Sequence, residues 1–159
     1  MKSPVRLLIL ASSLLAAAPA AAQTPAASPL LGRWAVDVAR LPADDRPRSV
    51  TFTISDAGAG RWTTRIDIVA ANGGRLTTEA TYSLDGTPAA VTGYPGADTV
   101  SVTTPSPDVL VMALANRGTP SSTRVFTVDA GGDSQTETVV YFRPDGTPAQ
   151  RTNHFNRIE

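Results

Sequence analysis

Apolar and polar residues alternate along most of this chain. Val50, Phe52 and Ile54 share one face of a predicted strand, and the residues between them are threonines on the other face. No segment keeps an apolar period of 3.6 residues through three helical turns, so the pattern predicts an all-β protein. The other predicted strands cover Gly32–Val38, Trp62–Ile68, Leu76–Leu84, Val100–Val102, Leu110–Leu114, Phe126–Val128, Val139–Phe142 and Ala149–Ile158.

Short turn signals separate these strands. The segments 56–60, 72–74 and 130–133 are rich in Gly, Asn and Asp, which suit tight hairpins because they tolerate positive φ. Consecutive hairpins give an antiparallel meander, and closure into a barrel hides its edges. We therefore predict an up-and-down β-barrel of about 8–10 strands. An immunoglobulin-like sandwich is the alternative, but it usually needs a longer crossover than these gaps allow.

The first 22 residues have a different character. Lys2 and Arg6 accompany an apolar run from Leu7 to Ala18, after which Pro19 and three alanines follow. This pattern predicts a secretory signal peptide cleaved before Gln23. An uncleaved anchor is the alternative, but the run is short for a bilayer span of about 20 residues. We expect a signal at 1–22, a flexible leader at 23–30 and one lipocalin-like barrel domain at 31–159, in the periplasm or secreted.

Composition narrows the chemistry. Of the 137 residues after position 22, 37 are Thr, Val or Ile, which favour strands. These 137 residues contain no cysteine and no lysine, which excludes disulfides, thiolate chemistry and Schiff bases. Twelve arginines against 14 acidic residues argue against nonspecific nucleic-acid binding. His154 is the only histidine, so we predict no metal site, no catalytic triad and no cofactor.

Two stretches carry a family resemblance. Gly32-Arg33-Trp34 opens the first strand, and Arg151 and Arg157 lie in the last. This arrangement resembles the calycin-type barrels of the lipocalin and fatty-acid-binding-protein group. With the segments 47–52 and 91–101, the chain is similar to exported bacterial lipocalin-like proteins of unassigned function. The resemblance implies that an arginine from the last strand covers Trp34 and closes one barrel end, with Gly32, Trp34, Arg151 and Arg157 as the closure residues.

The opposite end should differ from that of fatty-acid-binding proteins. Only about eleven residues separate Val38 from Val50, too few for a lid of two helices. We expect an open or loop-covered mouth there. We expect the loop Thr92–Asp98 to expose its tyrosine among turn-forming residues. It is either a recognition loop at the rim or a plain connector.

The candidate ligand site rests on strand parity. Arg124 has the parity of Phe126 and Val128, so it points inward if those two face the core, where it could hold an acidic headgroup. If Thr123, Val125 and Thr127 face inward instead, Arg124 lies outside. Under the first alternative a cavity, or equally a solid core, is lined by apolar and aromatic side chains. The candidate ligand-binding residues are Trp62, Tyr82, Met112, Arg124 and Phe126.

These observations favour an exported, monomeric protein that binds a small apolar or amphipathic ligand and performs no catalysis. One alternative is a solidly packed interaction or structural module of the cell envelope. A second is a barrel enzyme of the cyclase or isomerase type, which would require Arg124, Glu137 or His154 to converge on one cavity. We expect no nucleic-acid partner and no membrane insertion after signal cleavage.

Overall fold

The fold is all-β, as the alternation predicts. The computed structural model describes residues 27–44 and 46–158, so the predicted signal peptide at 1–22 lies outside the described residues. These residues form ten strands and one short 3-10 helix, and none of their helices is long and apolar enough to span a bilayer. The strands are β1 Gly32–Val36, β2 Ser49–Gly58, β3 Arg61–Val69, β4 Arg75–Ser83, β5 Ala89–Ala90, β6 Thr99–Ser106, β7 Val109–Asn116, β8 Thr119–Val128, β9 Ser134–Phe142 and β10 Pro148–Arg157.

The strands form one antiparallel meander that closes on itself. The spatial order is β4-β3-β2-β1-β10-β9-β8-β7-β6-β5, so the first and last strands are neighbours. The remaining seam, between β4 and the β5–β6 loop, is bridged by Glu79 and Thr92. Their backbones exchange two hydrogen bonds of 3.1 and 2.9 Å. The structure is a nearly closed barrel, which confirms the predicted up-and-down architecture.

An aromatic cluster fills the middle of the barrel. The rings of Phe52 and Phe126 stack with centroids 4.8 Å apart, and Phe155 lies 6.2 and 6.1 Å from them. All three are almost fully buried, and their strands β2, β8 and β10 come from different parts of the sequence. This cluster joins the walls of the barrel, because offset aromatic contacts are favourable beyond the area they bury.

One end of the barrel is sealed by Trp34 and Arg157. The Arg157 guanidinium carbon lies 4.0 Å from the Trp34 ring centroid, and the indole Nε1 donates to the carbonyl of Leu30 at 3.2 Å. Leu30 is completely buried, so the prediction of a flexible leader is wrong at this residue, and positions 23–26 of that prediction lie outside the described residues. Arg151 lies towards the other end, six residues earlier in β10, and is exposed. Of the two arginines considered for closure, Arg157 is the one that covers the tryptophan.

The other end is the mouth. The chain between β1 and β2 forms a single 3-10 turn, Val38–Arg40, capped by the Asp37 side chain, instead of a pair of helices. Arg46 Nη2 donates to the carbonyl of Leu41 at 2.6 Å, which folds this connection back on itself. The mouth is therefore bordered by a short loop, and interior space behind it can be reached from this side.

Candidate functional site

An interior cavity of about 310 Å³ lies between the mouth and the aromatic cluster. It is built by residues of inward parity on most strands of the barrel, together with the β1–β2 connection and the β5–β6 loop. Most of its wall is aliphatic or aromatic, with a few polar groups on one side. The lining residues are Val36, Leu41, Pro47, Val50, Phe52, Thr64, Ile66, Ile68, Thr78, Ala80, Val91, Tyr94, Val100, Met112, Leu114, Arg124, Phe126, Glu137, Arg151, Asn153 and Phe155.

A largely buried ion pair forms the polar side of this cavity. Arg124 on β8 is paired across the sheet with Val139, and Glu137 on β9 with Phe126, so both charged side chains share the inward face. Arg124 Nη1 lies 2.9 Å from Glu137 Oε1, and the two side chains are only 15% and 4% exposed. A third group, Asn153 Nδ2 on β10, donates to Glu137 Oε2 at 2.6 Å. Both oxygens of the glutamate thus accept a bond from the protein.

Tyr94 extends this cluster to the mouth. Arg124 Nη2 donates to Tyr94 Oη at 3.3 Å, and the guanidinium carbon lies 5.8 Å from the ring centroid. Tyr94 belongs to the β5–β6 loop, where two glycines fix its position. A Cβ on Gly93 would lie 2.0 Å from the carbonyl oxygen of Thr77, and one on Gly96 would lie 2.8 Å from the tyrosine ring. The loop can therefore lie this close to β4 only with glycine at position 93, and a side chain at position 96 would displace the tyrosine ring.

A second, more polar recess of about 330 Å³ lies beside the cavity. Tyr94, Arg124 and Arg151 border both spaces. Arg151 is exposed, and no hydrogen bond or ion pair joins it to the part of the chain that the structure describes. The remaining lining residues of this recess are Gly96, Ser121, Ser122, Val139, Tyr141 and Phe142.

The structure places the predicted site residues in two groups. Met112, Arg124 and Phe126 line the cavity, so Arg124 has the inward orientation that parity allowed. Trp62 and Tyr82 instead belong to the packed core and lie outside the cavity wall. They face each other across β3 and β4, and burial raises the pKa of the Tyr82 phenol above its ordinary value.

Three members of the polar cluster, Glu137, Asn153 and Tyr94, were not among the predicted ligand-binding residues. Glu137 lies on the strand whose phase the sequence leaves ambiguous, because 139–142 is apolar on both faces. Asn153 could have been found from parity, since it precedes the buried Phe155 by two residues. The expectation of an exposed Tyr94 is wrong, because the loop folds this ring inward against Arg124, and the sequence pattern does not define that fold. His154 lies outside the cavity wall, so only Arg124 and Glu137 converge there among the three residues considered for catalysis.

Comparison with known proteins identifies the architecture. No family model matches the sequence, and no curated protein matches it. Among solved structures, a single-residue mutant of the fluorescent protein UnaG is similar, with a TM-score of 0.56 and 17% sequence identity over 82% of this chain and 97% of that chain. The fold is the calycin barrel. This calycin barrel carries its polar cluster on β8, β9 and β10, next to an apolar cavity behind the mouth.

Proposed function

We propose that this protein is an exported, monomeric binding protein that holds one small apolar or amphipathic molecule inside its calycin barrel, without catalysis. The observation that carries this proposal is the interior cavity of about 310 Å³. Apolar walls with a few convergent polar groups are typical of small-molecule sites, which span roughly 300–1,000 Å³. A volume at the lower end of that range favours a compact ligand. Burial of the ligand's apolar surface supplies the main driving force.

The barrel itself supports this function. Closed barrels of about this strand number can hold one small ligand when their interior is not completely filled by side chains. Here the phenylalanine cluster fills the middle and Trp34 seals one end, whereas the mouth is bordered by a short 3-10 turn and by the loop that carries Tyr94. A ligand would therefore enter past Tyr94 and rest against Phe52 and Phe126.

The polar cluster supports binding more than catalysis. Each oxygen of Glu137 already accepts a hydrogen bond, and Arg124 is held by Glu137 and Tyr94. These bonds hold both side chains in one orientation, as suits a group that positions a bound molecule. The arrangement resembles a fixed polar anchor. Export is supported by the charged, apolar and small-residue pattern of positions 1–22.

Native mass spectrometry of the protein purified from its own host tests the proposal. We expect a folded fraction that carries one additional small-molecule mass. Ala80 lines the cavity and is almost fully buried, so Ala80→Phe fills the space and should abolish that mass. Ala113→Phe is the matched control, because Ala113 lies exposed on the outer side of β7. Additional mass that persists in Ala80→Phe would place the ligand elsewhere. A bare protein would favour the interaction module.

A further inference from the structure

We infer that the part of the ligand buried in this cavity is uncharged, and that Glu137 is the residue that excludes anions. This inference rests on the proposed function and specifies its ligand class. The sequence pattern suggested that Arg124 holds an acidic headgroup. The structure provides that arginine with an acidic partner of its own, at 2.9 Å.

The charge balance of the cavity wall carries the argument. Among the described residues that line the cavity, only Arg124, Glu137 and Arg151 are charged. Glu137 is buried, Arg124 is 15% exposed and the two charges neutralise each other, whereas Arg151 is exposed at the border with the polar recess. The attraction of Arg151 for an anion is therefore screened by water. The enclosed part of the cavity therefore carries no net charge that would attract an anion.

A buried anion would also be repelled. A carboxylate or sulfonate that approached Arg124 would come close to the Glu137 carboxylate, and two like charges in a poorly hydrated space disfavour each other strongly. Glu137 cannot turn away easily, because Arg124 and Asn153 hold its two oxygens and its side chain is 4% exposed. The ligand anion would lose its hydration without gaining an unpaired cation.

A neutral hydrogen-bond acceptor would bind favourably beside Arg124 and Tyr94. Tyr94 Oη accepts a hydrogen bond from Arg124, which leaves its own hydrogen to donate. None of the hydrogen bonds within residues 27–44 and 46–158 uses that hydrogen. A carbonyl, ester or ether oxygen of a ligand could accept it while the apolar part of the ligand rests against Phe126 and Met112. The geometry therefore favours a neutral molecule that carries a hydrogen-bond acceptor over an acid of the same shape.

Two dyes that differ by one charged group test this inference. N-phenylnaphthylamine is neutral, and anilinonaphthalenesulfonate adds a sulfonate that stays ionised at any pH used. Fluorescence titration of the purified protein should give a dissociation constant at least tenfold lower for the neutral dye. Glu137→Gln frees the Arg124 charge while keeping an oxygen acceptor, so the preference should shrink by about tenfold or reverse. Glu79→Gln is the matched control, because Glu79 is half exposed on the outer face of β4, and the preference should not change.

The double variant Arg124→Gln with Glu137→Gln separates charge from packing. It removes both charges together, so we expect it to keep the preference for the neutral dye. Equal or tighter binding of the sulfonate by the unmodified protein would overturn the inference, even if Glu137→Gln failed to fold. An unchanged preference in a folded Glu137→Gln protein would overturn it as well. Failure of both dyes to bind the unmodified protein would count against the proposed function itself.

Discussion

Arg157 is the residue on which closure of the barrel depends most. Its guanidinium stacks on Trp34 and donates to three backbone carbonyls, those of Gly132 at 2.6 Å, Leu31 at 2.9 Å and Pro29 at 2.5 Å. These carbonyls belong to the β8–β9 turn and to the start of the described chain. One side chain of β10 therefore ties these two segments to its own strand, and Arg157→Ala releases both of them.

The expected loss follows from these contacts. A partly desolvated cation–π contact contributes about 1 kcal/mol, and hydrogen bonds from a charged donor contribute about 1.5–3 kcal/mol each when they are lost in full. Water can reach part of this site and hydrate the carbonyls after truncation, so the sum overstates the loss. We expect Arg157→Ala to lower the free energy of unfolding by about 3 kcal/mol, which corresponds to roughly 10 °C in Tm for a domain of this size.

Thermal and urea unfolding, followed by tryptophan fluorescence and circular dichroism, measure this loss. Arg151→Ala is the matched control, since it removes an arginine from the same strand that has no bonded partner among the described residues. It should change Tm by less than about 2 °C. Arg157→Lys keeps the charge but loses the planar fork, so we expect an intermediate loss. Equal effects of Arg157→Ala and Arg151→Ala would refute the assignment of closure to Arg157.

Three further predictions concern single positions. The side-chain amide of Gln135 is buried without a hydrogen-bond partner among the described residues. Gln135→Met should therefore raise the free energy of unfolding, measured in urea, by about 1–2 kcal/mol. A lower free energy of unfolding in this variant would show that the amide is paired. Gly93→Ala should weaken dye binding and lower the free energy of unfolding by at least 2 kcal/mol more than Gly118→Ala does. Gly118 has a positive φ as well, but a Cβ there would meet nothing within 4 Å. Equal losses in the two variants would contradict the close approach of Gly93 to Thr77. The backbone N–H of Arg117 donates to the Asp98 carboxylate and holds its pKa below the ordinary 3.8, so this contact stabilises the folded protein above pH 3.8 and is lost as the pH falls through the lowered pKa. Thermal melts of Asp98→Asn should therefore lose less stability in acid than melts of the unmodified protein. Identical acid profiles of the two proteins would argue against this role.

The fold was largely predictable from the sequence. Apolar and polar residues alternate with a period of two, and turn signals interrupt this alternation at hairpin spacing, so few folds other than an antiparallel meander fit the pattern. Alternation placed Phe52 on the apolar face of its strand, and the structure buries it. For Phe126 alternation left two orientations open, and the structure selects the inward one. Alternation missed β5, since two residues cannot show a period. It also placed Leu30 in a flexible leader, because the contact that buries this residue comes from the other end of the chain.

The candidate site was only partly predictable. Parity gave Arg124 one of two orientations, and the structure selects the inward one. Parity cannot separate residues of the packed core from residues of the cavity wall, so Trp62 and Tyr82 were grouped with Met112. Glu137 faces inward only because the register of β9 against β8 places it beside Phe126, which is information that no single strand contains.

Saturable binding inside the barrel is the central claim, and one titration tests it most directly. N-phenylnaphthylamine added to the purified protein should give a blue-shifted emission that saturates at one equivalent. The dissociation constant should rise at least tenfold in Ala80→Phe and stay unchanged in Ala113→Phe, because only the first substitution fills the cavity. Absence of saturable binding, or equal binding by the Ala80→Phe protein, would contradict the claim that this calycin barrel holds a small molecule in its interior.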